Sequence, residues 1–336
     1  MLFLRSNNNA MNDRKRFRKP SSNNIKSRRR KCVNGFTYPF GAYPEKDFAN
    51  KTGYDSKYIR DENYFYYQIA VSHEQILPTM GELFNIMPEQ GFVVAQLHTD
   101  DHYQENDTHI SSEATNLNSV KRWIYEWKDV VLDDGFFGIG VFFEEPIVEV
   151  FLDEHKTIHV YHTNPELMED LLEHLGIPFV FDLQMYWDQP HYHKSIPLLN
   201  DYSKDYLTAF EELADRYDLL YDVEVSENSS VVDKQVGIIC WKVDVRGYGI
   251  DESQSYSSNG FYSTIYVNAV SRNNVVEQIE YYLDSKGERA DLFLQAARIP
   301  YKFLPVELKN KNNNPGIPGV WSESERAEFD WDHPSY

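Results

Sequence analysis

Cysteine is nearly absent from this chain of 336 residues. Its two cysteines, Cys32 and Cys240, are too few for a disulfide framework, and their scarcity indicates a reducing compartment. Long apolar runs are missing as well. No stretch approaches the length of about 18 apolar residues that a membrane helix needs, and no apolar segment follows Arg5 to form a signal peptide. We therefore expect a cytoplasmic protein without a membrane partner, or a nuclear one if its source is eukaryotic.

Two common catalytic motifs are also lacking. The glycines of "DDGFFGIG" (133–140) are not followed by Lys-Ser or Lys-Thr, so this stretch does not predict a phosphate-binding loop. No G-x-S-x-G sequence indicates a serine nucleophile. Cys240 lies within the apolar run "VGIICWKV" and is expected to be a packed, inert thiol. The sequence therefore favours neither a P-loop enzyme nor a serine or cysteine hydrolase.

Basic residues are scarce except near the N-terminus. The chain has 33 Lys and Arg against 53 Asp and Glu, a net charge of −20. Residues 1–32 hold 11 of the basic residues and a single acid, Asp13, so the remaining 304 residues carry a net charge of −30. A body of this charge repels nucleic acid and attracts basic proteins, whereas the N-terminal arm has the opposite preference.

The basic arm is predicted to be disordered over residues 1–33, because it is polar and has little apolar surface to bury. We expect residues 1–31 to lack stable contacts with the apolar core. The arm is a candidate for nucleic-acid binding through counterion release, and the alternative is that it folds back on the acidic body or contacts a protein. Its candidate nucleic-acid-binding residues are Arg14, Lys15, Arg16, Arg18, Lys19, Lys26, Arg28, Arg29, Arg30 and Lys31.

Alternating strand and helix patterns in the remainder predict an α+β fold. An aromatic-rich wrapping segment (34–71) precedes a first α+β unit (72–199), a second α+β unit (200–308) and a C-terminal tail (309–336). Helices are predicted at 72–87, 164–176, 204–217 and from 271, with a short helix at 288–298. The strands predicted include one near 121–128.

The two units are predicted to arise from a tandem duplication. "TIHV" (157–160) matches "TIYV" (264–267) at an offset of 107 residues, and helix caps follow at Asn164 and Ser271 with the same offset. Each unit then ends in a similar sequence, "IPFVF" (177–181) or "IPYKF" (299–303). We therefore expect residues 136–183 and 236–308 to share one order of strands, helix and final strand.

A cluster of polar residues follows the apolar strand at 92–98 and is the first candidate for a metal site. Imidazole and carboxylate groups are ligands for zinc or manganese, and strand ends hold them well. The candidate ligands are His98, Asp100, Asp101, His102 and His109. Further possible ligands are His155, His159, His162, His191 and His193, of which the last two share a face if they lie in a strand. The alternative, which we favour at this point, is a solvated acidic loop without metal.

The acids and aromatics elsewhere suggest a protein-binding surface. Aromatic side chains dominate interface hot spots, and acids would attract a basic partner. The candidate partner-binding residues are Trp123, Trp127, Trp187, Asp133, Asp134, Glu144 and Glu145. Any one of these tryptophans could instead belong to a core.

These features favour a non-enzymatic, acidic interaction protein that captures a basic protein partner, as an inhibitor, immunity protein or adaptor does. The first alternative is a metal-dependent hydrolase that uses a divalent ion at the His98–His102 loop, with Asp100 or Asp101 as base. The second is a nucleic-acid-associated protein acting through its arm. No cofactor is expected under the leading hypothesis.

Overall fold

The computed structural model describes residues 29–103, 106–196, 205–223, 237–250 and 259–330. The chain forms two compact units, one of residues 1–96 and 109–219 and one of residues 97–108 and 220–336. Helices and several separate sheets confirm the α+β class. Within the described ranges, no helix is both long and apolar enough to cross a bilayer.

Most strands before residue 222 belong to one large sheet. The strands are, in chain order, β1 (Cys32–Val33), β2 (Phe36–Thr37), β3 (Ala42–Pro44), β4 (Gly53–Ile59), β5 (Tyr64–Ala70), β6 (Gln90–His98), β7 (Asn106–Ser111), β8 (Thr115–Asn116), β9 (Phe137–Phe143), β10 (Val148–Leu152), β11 (Ile158–His162), β12 (His191–His193) and β13 (Leu219–Tyr221). The nine-stranded sheet has the order β13-β7-β6-β9-β10-β11-β5-β4, and β8 pairs with β6. Two small ribbons pair β1 with β2 and β12 with β3.

Helices cover the apolar faces of the first unit. They are α1 (His73–Asn85), α2 (Leu117–Glu126), α3 (Lys128–Asp133), α4 (Pro165–His174) and α5 (Tyr206–Tyr217). The helix α4 begins as its sequence predicts: the Asn164 side chain accepts a hydrogen bond from the Leu167 backbone N–H at 3.1 Å, and Pro165 opens the first turn. Its buried face includes Met168 and Leu172.

The second unit is built on a four-stranded antiparallel sheet of order β16-β14-β15-β17. Its strands are β14 (Ile239–Gly249), β15 (Asn259–Ala269), β16 (Glu288–Ile299) and β17 (Gly319–Asp330), and its helices are α6 (Arg272–Asp284) and α7 (Val306–Lys311). The apolar stripe of α6, Val275, Ile279 and Leu283, packs with Trp241 and Ile265 of the sheet. The spacing of this stripe at intervals of four residues is that of a helix covering a sheet.

Two predicted elements are wrong, and two segments predicted without regular structure over most of their length contain strands. The strand predicted near 121–128 is helical: Trp123 lies on the buried face of α2, and Trp127, four residues later, is buried between α2 and α3. The predicted wrapping segment contributes β4 to the large sheet, together with β5, which matches a strand predicted at the end of that segment near 64–71. The predicted tail contains β17, which pairs with β15 from Asn259 to Asn268. The predicted helix at 288–298 is the strand β16.

The order of the elements in the two units does not confirm a duplication. In the first unit, three strands (β9 to β11) precede α4, and the following "IPFVF" segment makes only an isolated bridge, from Phe179 to Tyr54. In the second unit, two strands precede α6, and "IPYKF" begins at the last residue of β16 and continues as a 3-10 turn. The two "IP" segments therefore occupy unrelated positions.

A buried carboxyl group lies in the middle of the first unit's sheet. Glu149 on β10 is 3% exposed, and its cross-strand neighbours are Phe142 and Tyr161. Burial raises the pKa of Glu149 to about 8, since an apolar environment disfavours the ionised form. The side chain is consequently neutral in the folded protein at pH 7.

We predict that Glu149→Gln flattens the pH dependence of stability. The unfolded chain releases this proton near pH 4.5, whereas the folded chain keeps it until about pH 8, so stability falls as the pH rises between these values. The loss amounts to several kcal/mol at most, at about 1.4 kcal/mol for each pH unit. Urea unfolding at pH 5, 6, 7 and 8 measures it, with the exposed Glu144→Gln as the matched control. An equal slope in wild type and Glu149→Gln would contradict the assignment.

Candidate metal centre

The acids of the first candidate site serve a different purpose from metal binding. Asp101 and Asp107 are fully buried in the second unit, whereas the sequence predicts a solvated loop. Asp101 accepts hydrogen bonds from Nε of Arg298 at 2.9 and 3.2 Å and from its backbone N–H at 2.7 Å. Asp107 accepts a hydrogen bond from Nη1 of Arg272 and one from the Ala296 backbone N–H at 2.7 Å. Both carboxylates are therefore committed to buried arginines.

The other residues of that motif do not converge. His102 is exposed and its ring lies 4.8 Å from the ring of Phe303, while Asp100 is exposed as well. The backbone carbonyl of His98 accepts a hydrogen bond from the Gln295 side chain. His109 is buried in the first unit against Phe210, with ring centroids 4.6 Å apart. In the part of the chain that the structure describes, none of these five residues belongs to a potential metal-ligand group.

We predict that Asp107→Asn destabilises the protein by about 3–5 kcal/mol, because it leaves the guanidinium of Arg272 buried without its charged partner. Chemical denaturation measures this loss. Asp100→Asn, at an exposed position in the same segment, is the control and should change stability by less than about 0.5 kcal/mol. Similar effects from the two variants would count against a structural role of the buried pair.

Three other histidines bring their ring nitrogens together in the first unit. The Nε2 atoms of His155, His191 and His193 form a triangle with edges of 3.3, 3.0 and 3.1 Å. Nitrogens that bind one metal ion at about 2.0–2.1 Å are separated by roughly 2.9–3.4 Å, from octahedral to tetrahedral geometry. The triangle therefore has the dimensions of one face of a metal coordination shell.

The opposite nitrogen of each ring faces an oxygen atom. Nδ1 of His191 lies 2.8 Å from the Gln189 carbonyl, and Nδ1 of His193 lies 2.9 Å from the Gly135 carbonyl. Nδ1 of His155 lies 3.4 Å from a carboxylate oxygen of Asp153. Such acceptors hold the proton on Nδ1, so the Nε2 lone pairs all point into the triangle. This is the arrangement that supports histidine ligands in metalloproteins.

A hydrogen-bonded chain continues outward from His155. Asp153 accepts from Nε2 of His159 at 2.9 Å, and Nδ1 of His159 in turn accepts from the hydroxyl of Tyr66 at 2.6 Å. Burial alone would raise the pKa of Asp153, but the hydrogen bonds from His155 and His159 outweigh it and hold the pKa far below its usual value. Asp153 is thus ionised and fixed in place. His159 supports the cluster rather than joining it.

Local backbone geometry places each histidine. His155 lies in the turn between β10 and β11, where the Asp153 carboxylate accepts from the Thr157 backbone N–H at 2.7 Å and Lys156 has a positive φ of 63°. Nζ of the buried Lys156 donates to the Phe137 carbonyl at 2.5 Å, which fixes this turn. His191 and His193 alternate with Tyr192 on β12 and share one face of the strand.

Two glycines allow β12 to approach the rest of the unit. The Gly41 backbone N–H donates to the Asp133 carbonyl, the Gly135 N–H donates to Lys194, and the Lys194 N–H donates to Gly41. A Cβ atom at Gly135 would lie 2.1 Å from the Gly41 carbonyl oxygen, and one at Gly41 would lie 2.3 Å from the Gly135 nitrogen. Any larger residue at either position would separate these three backbone segments.

The predicted partner-binding tryptophans are mostly internal. Trp123 and Trp127 are 0% and 3% exposed and their rings stack 6.1 Å apart, so neither forms a surface anchor. Trp187 is half-buried, and its ring lies 4.9 Å from that of His155. Glu144 and Glu145 are exposed, as a partner-binding role requires.

The predicted partner-binding acids Asp133 and Asp134 are buried as well. Although burial would raise the pKa of Asp133, hydrogen bonds from His73 and Arg30 lower it to about 2. Burial raises the pKa of Asp134 to about 6, and its carboxylate accepts from the Ile196 backbone N–H directly after β12. Both acids therefore make hydrogen bonds within the first unit and are not available to a partner at the surface.

Most of the basic arm, including the candidate residues from Arg14 to Arg28, lies outside the described residues. Arg30 departs from its predicted role: Nη2 donates to Asp133 at 2.6 Å, and its guanidinium lies over the ring of Phe40. Nζ of Lys31 donates to two backbone carbonyls, those of Pro44 and Lys46. The end of the predicted arm thus contacts mainly polar groups of the first unit, and the expectation that residues 1–31 avoid the apolar core stays a prediction.

Comparison of the chain with protein-family models, with curated proteins and with solved structures gave no match. The function must therefore be argued from the geometry of the histidine cluster itself. The sequence indicates that His191 and His193 share a strand face, but nothing in the sequence places them beside His155, which is 36 residues away from His191.

We predict that Asp153→Asn weakens metal binding by the three histidines about 10- to 100-fold, because the amide is a poorer acceptor for Nδ1 of His155. Competition of the purified protein with a coloured zinc chelator measures the affinity. Asp170→Asn, on the exposed side of α4, is the control. Equal affinities of the Asp153 variant and the wild type would show that this carboxylate does not support the cluster.

Proposed function

We propose that the protein is a metalloprotein whose first unit binds one divalent transition-metal ion through His155, His191 and His193. The observation that carries this proposal is the convergence of three Nε2 atoms within 3.0–3.3 Å of one another. Charged imidazolium groups at this spacing would repel one another. Neutral rings would instead place three nitrogen lone pairs close together. A cation bound by all three nitrogens would remove the repulsion between these lone pairs.

The ligand chemistry favours a borderline metal ion. Three imidazoles suit zinc, cobalt, nickel, copper or ferrous iron, whereas magnesium and calcium prefer oxygen ligands. Among these we favour zinc, because the ligands are all nitrogens and the nitrogen separations include those of a tetrahedral site. This assignment replaces the His98–His102 loop as the metal site of the hydrolase hypothesis.

Capture of a basic protein remains a separate prediction that rests on charge. The net charge of −20 and the exposed Glu144 and Glu145 support it, whereas the burial of Trp123 and Trp127 removes its expected aromatic anchors. The metal proposal has the more specific support, since it depends on atoms at defined distances.

Metal analysis of the purified protein tests the proposal. After removal of bound metal with a chelator, we expect zinc to rebind at a ratio of one ion per chain. His191→Ala and His193→Ala should each weaken binding by more than about 100-fold, beyond the effect expected of a supporting residue. Elemental analysis after gel filtration gives the stoichiometry, and chelator competition gives the affinity.

A matched histidine variant separates this effect from a general loss of histidine. His174→Ala changes an exposed residue in the last turn of α4 and should leave zinc binding unaltered. Circular dichroism of the metal-free variants checks that each remains folded. Folded His191→Ala and His193→Ala proteins that bind zinc as tightly as the wild type would refute the proposal.

A further inference from the structure

The number of protein ligands in the histidine cluster bears on what its metal ion does. Within the described residues, the group that shares the Nε2 triangle consists of three histidines. Structural zinc sites have four protein ligands, whereas catalytic sites have three and keep a position for water or substrate. Counted over the residues that the structure describes, the cluster has the ligand number of the second kind.

The nearby carboxylates lie on the wrong side of His155 to complete the shell. Asp153 and Glu154 each approach Nδ1 of His155, at 3.4 Å, whereas the triangle is formed by Nε2. The two nitrogens of an imidazole ring point away from each other. Asp153 is further engaged by the Thr157 backbone N–H and by Nε2 of His159. Its carboxylate therefore supports His155 from behind and does not reach an ion on Nε2.

The charge of the centre favours a small anion as the additional ligand. Neutral imidazole ligands do not compensate the double positive charge of a bound ion. A divalent ion in such a shell lowers the pKa of bound water and attracts anionic oxygen or nitrogen ligands. His191 and His193 are half-buried on a strand of a two-stranded ribbon.

We propose that the metal ion keeps an exchangeable coordination position that holds water and accepts small monoanions or an anionic oxygen of a substrate. This inference rests on the proposed function, because it requires metal to bind to the three histidines. A centre with such a position resembles catalytic metal sites, in which the ion activates water or polarises a bound substrate, and not structural sites, in which the ion only stabilises the fold.

Cobalt substitution and azide titration test the inference. The metal-free protein is loaded with Co²⁺, the stoichiometry is measured first, and azide is then added while the visible d–d absorption is recorded. We expect a saturable shift of the bands in the wild type and in His174→Ala. The shift should reverse when azide is removed by dialysis.

The outcomes separate the inference from the proposed function. Stoichiometric Co²⁺ with a spectrum that azide leaves unchanged would overturn the exchangeable position and retain the metal site. A response seen in Glu154→Gln but not in the wild type would show that the Glu154 carboxylate closes the shell, and would overturn the inference as well. A folded protein in which His191→Ala does not reduce Co²⁺ binding overturns both.

Discussion

The close approach of three backbone segments at Gly41, Gly135 and Lys194 is the constraint on which the histidine cluster depends. Their mutual hydrogen bonds leave no room for a Cβ atom at either glycine. This contact fixes the position of β12 relative to the turn at 133–135, and the Gly135 carbonyl then faces His193. The positions of His191 and His193 are thus set by backbone packing, while that of His155 is set independently by the β10–β11 turn.

The second unit depends on a different kind of interaction. Asp101 and Asp107 are buried with Arg298 and Arg272, and an isolated charge in such a place would carry a large desolvation penalty. Backbone N–H groups of Ala296 and Arg298 complete the shells of the two carboxylates. Because every carboxylate oxygen of Asp101 and Asp107 accepts hydrogen bonds, these acids can be among the most buried residues of the chain although their sequence is that of a solvated loop.

Local patterns in the sequence predicted some elements correctly, whereas they did not predict the long-range contacts. The cap at Asn164 and Pro165 predicted α4, and the alternation of His191 and His193 predicted a shared strand face. The strand predicted near 121–128 is helical, and Trp123 and Trp127, four residues apart, are both buried. The acids of the 98–109 segment predicted a solvated loop, because the arginines that pair with them lie 165 or more residues away and the local sequence does not reveal them. Convergence of His155 with β12 likewise requires the tertiary fold.

The ion pairs of the second unit have a consequence for the order in which the protein is made. Asp101 leaves the ribosome 197 residues before Arg298, and Asp107 leaves it 165 residues before Arg272. Until those arginines have been translated, the two carboxylates lack the cations that make their burial favourable. The strands of a nascent second unit therefore cannot close over the early segment, and its folding must wait until Arg272 and Arg298 have been translated.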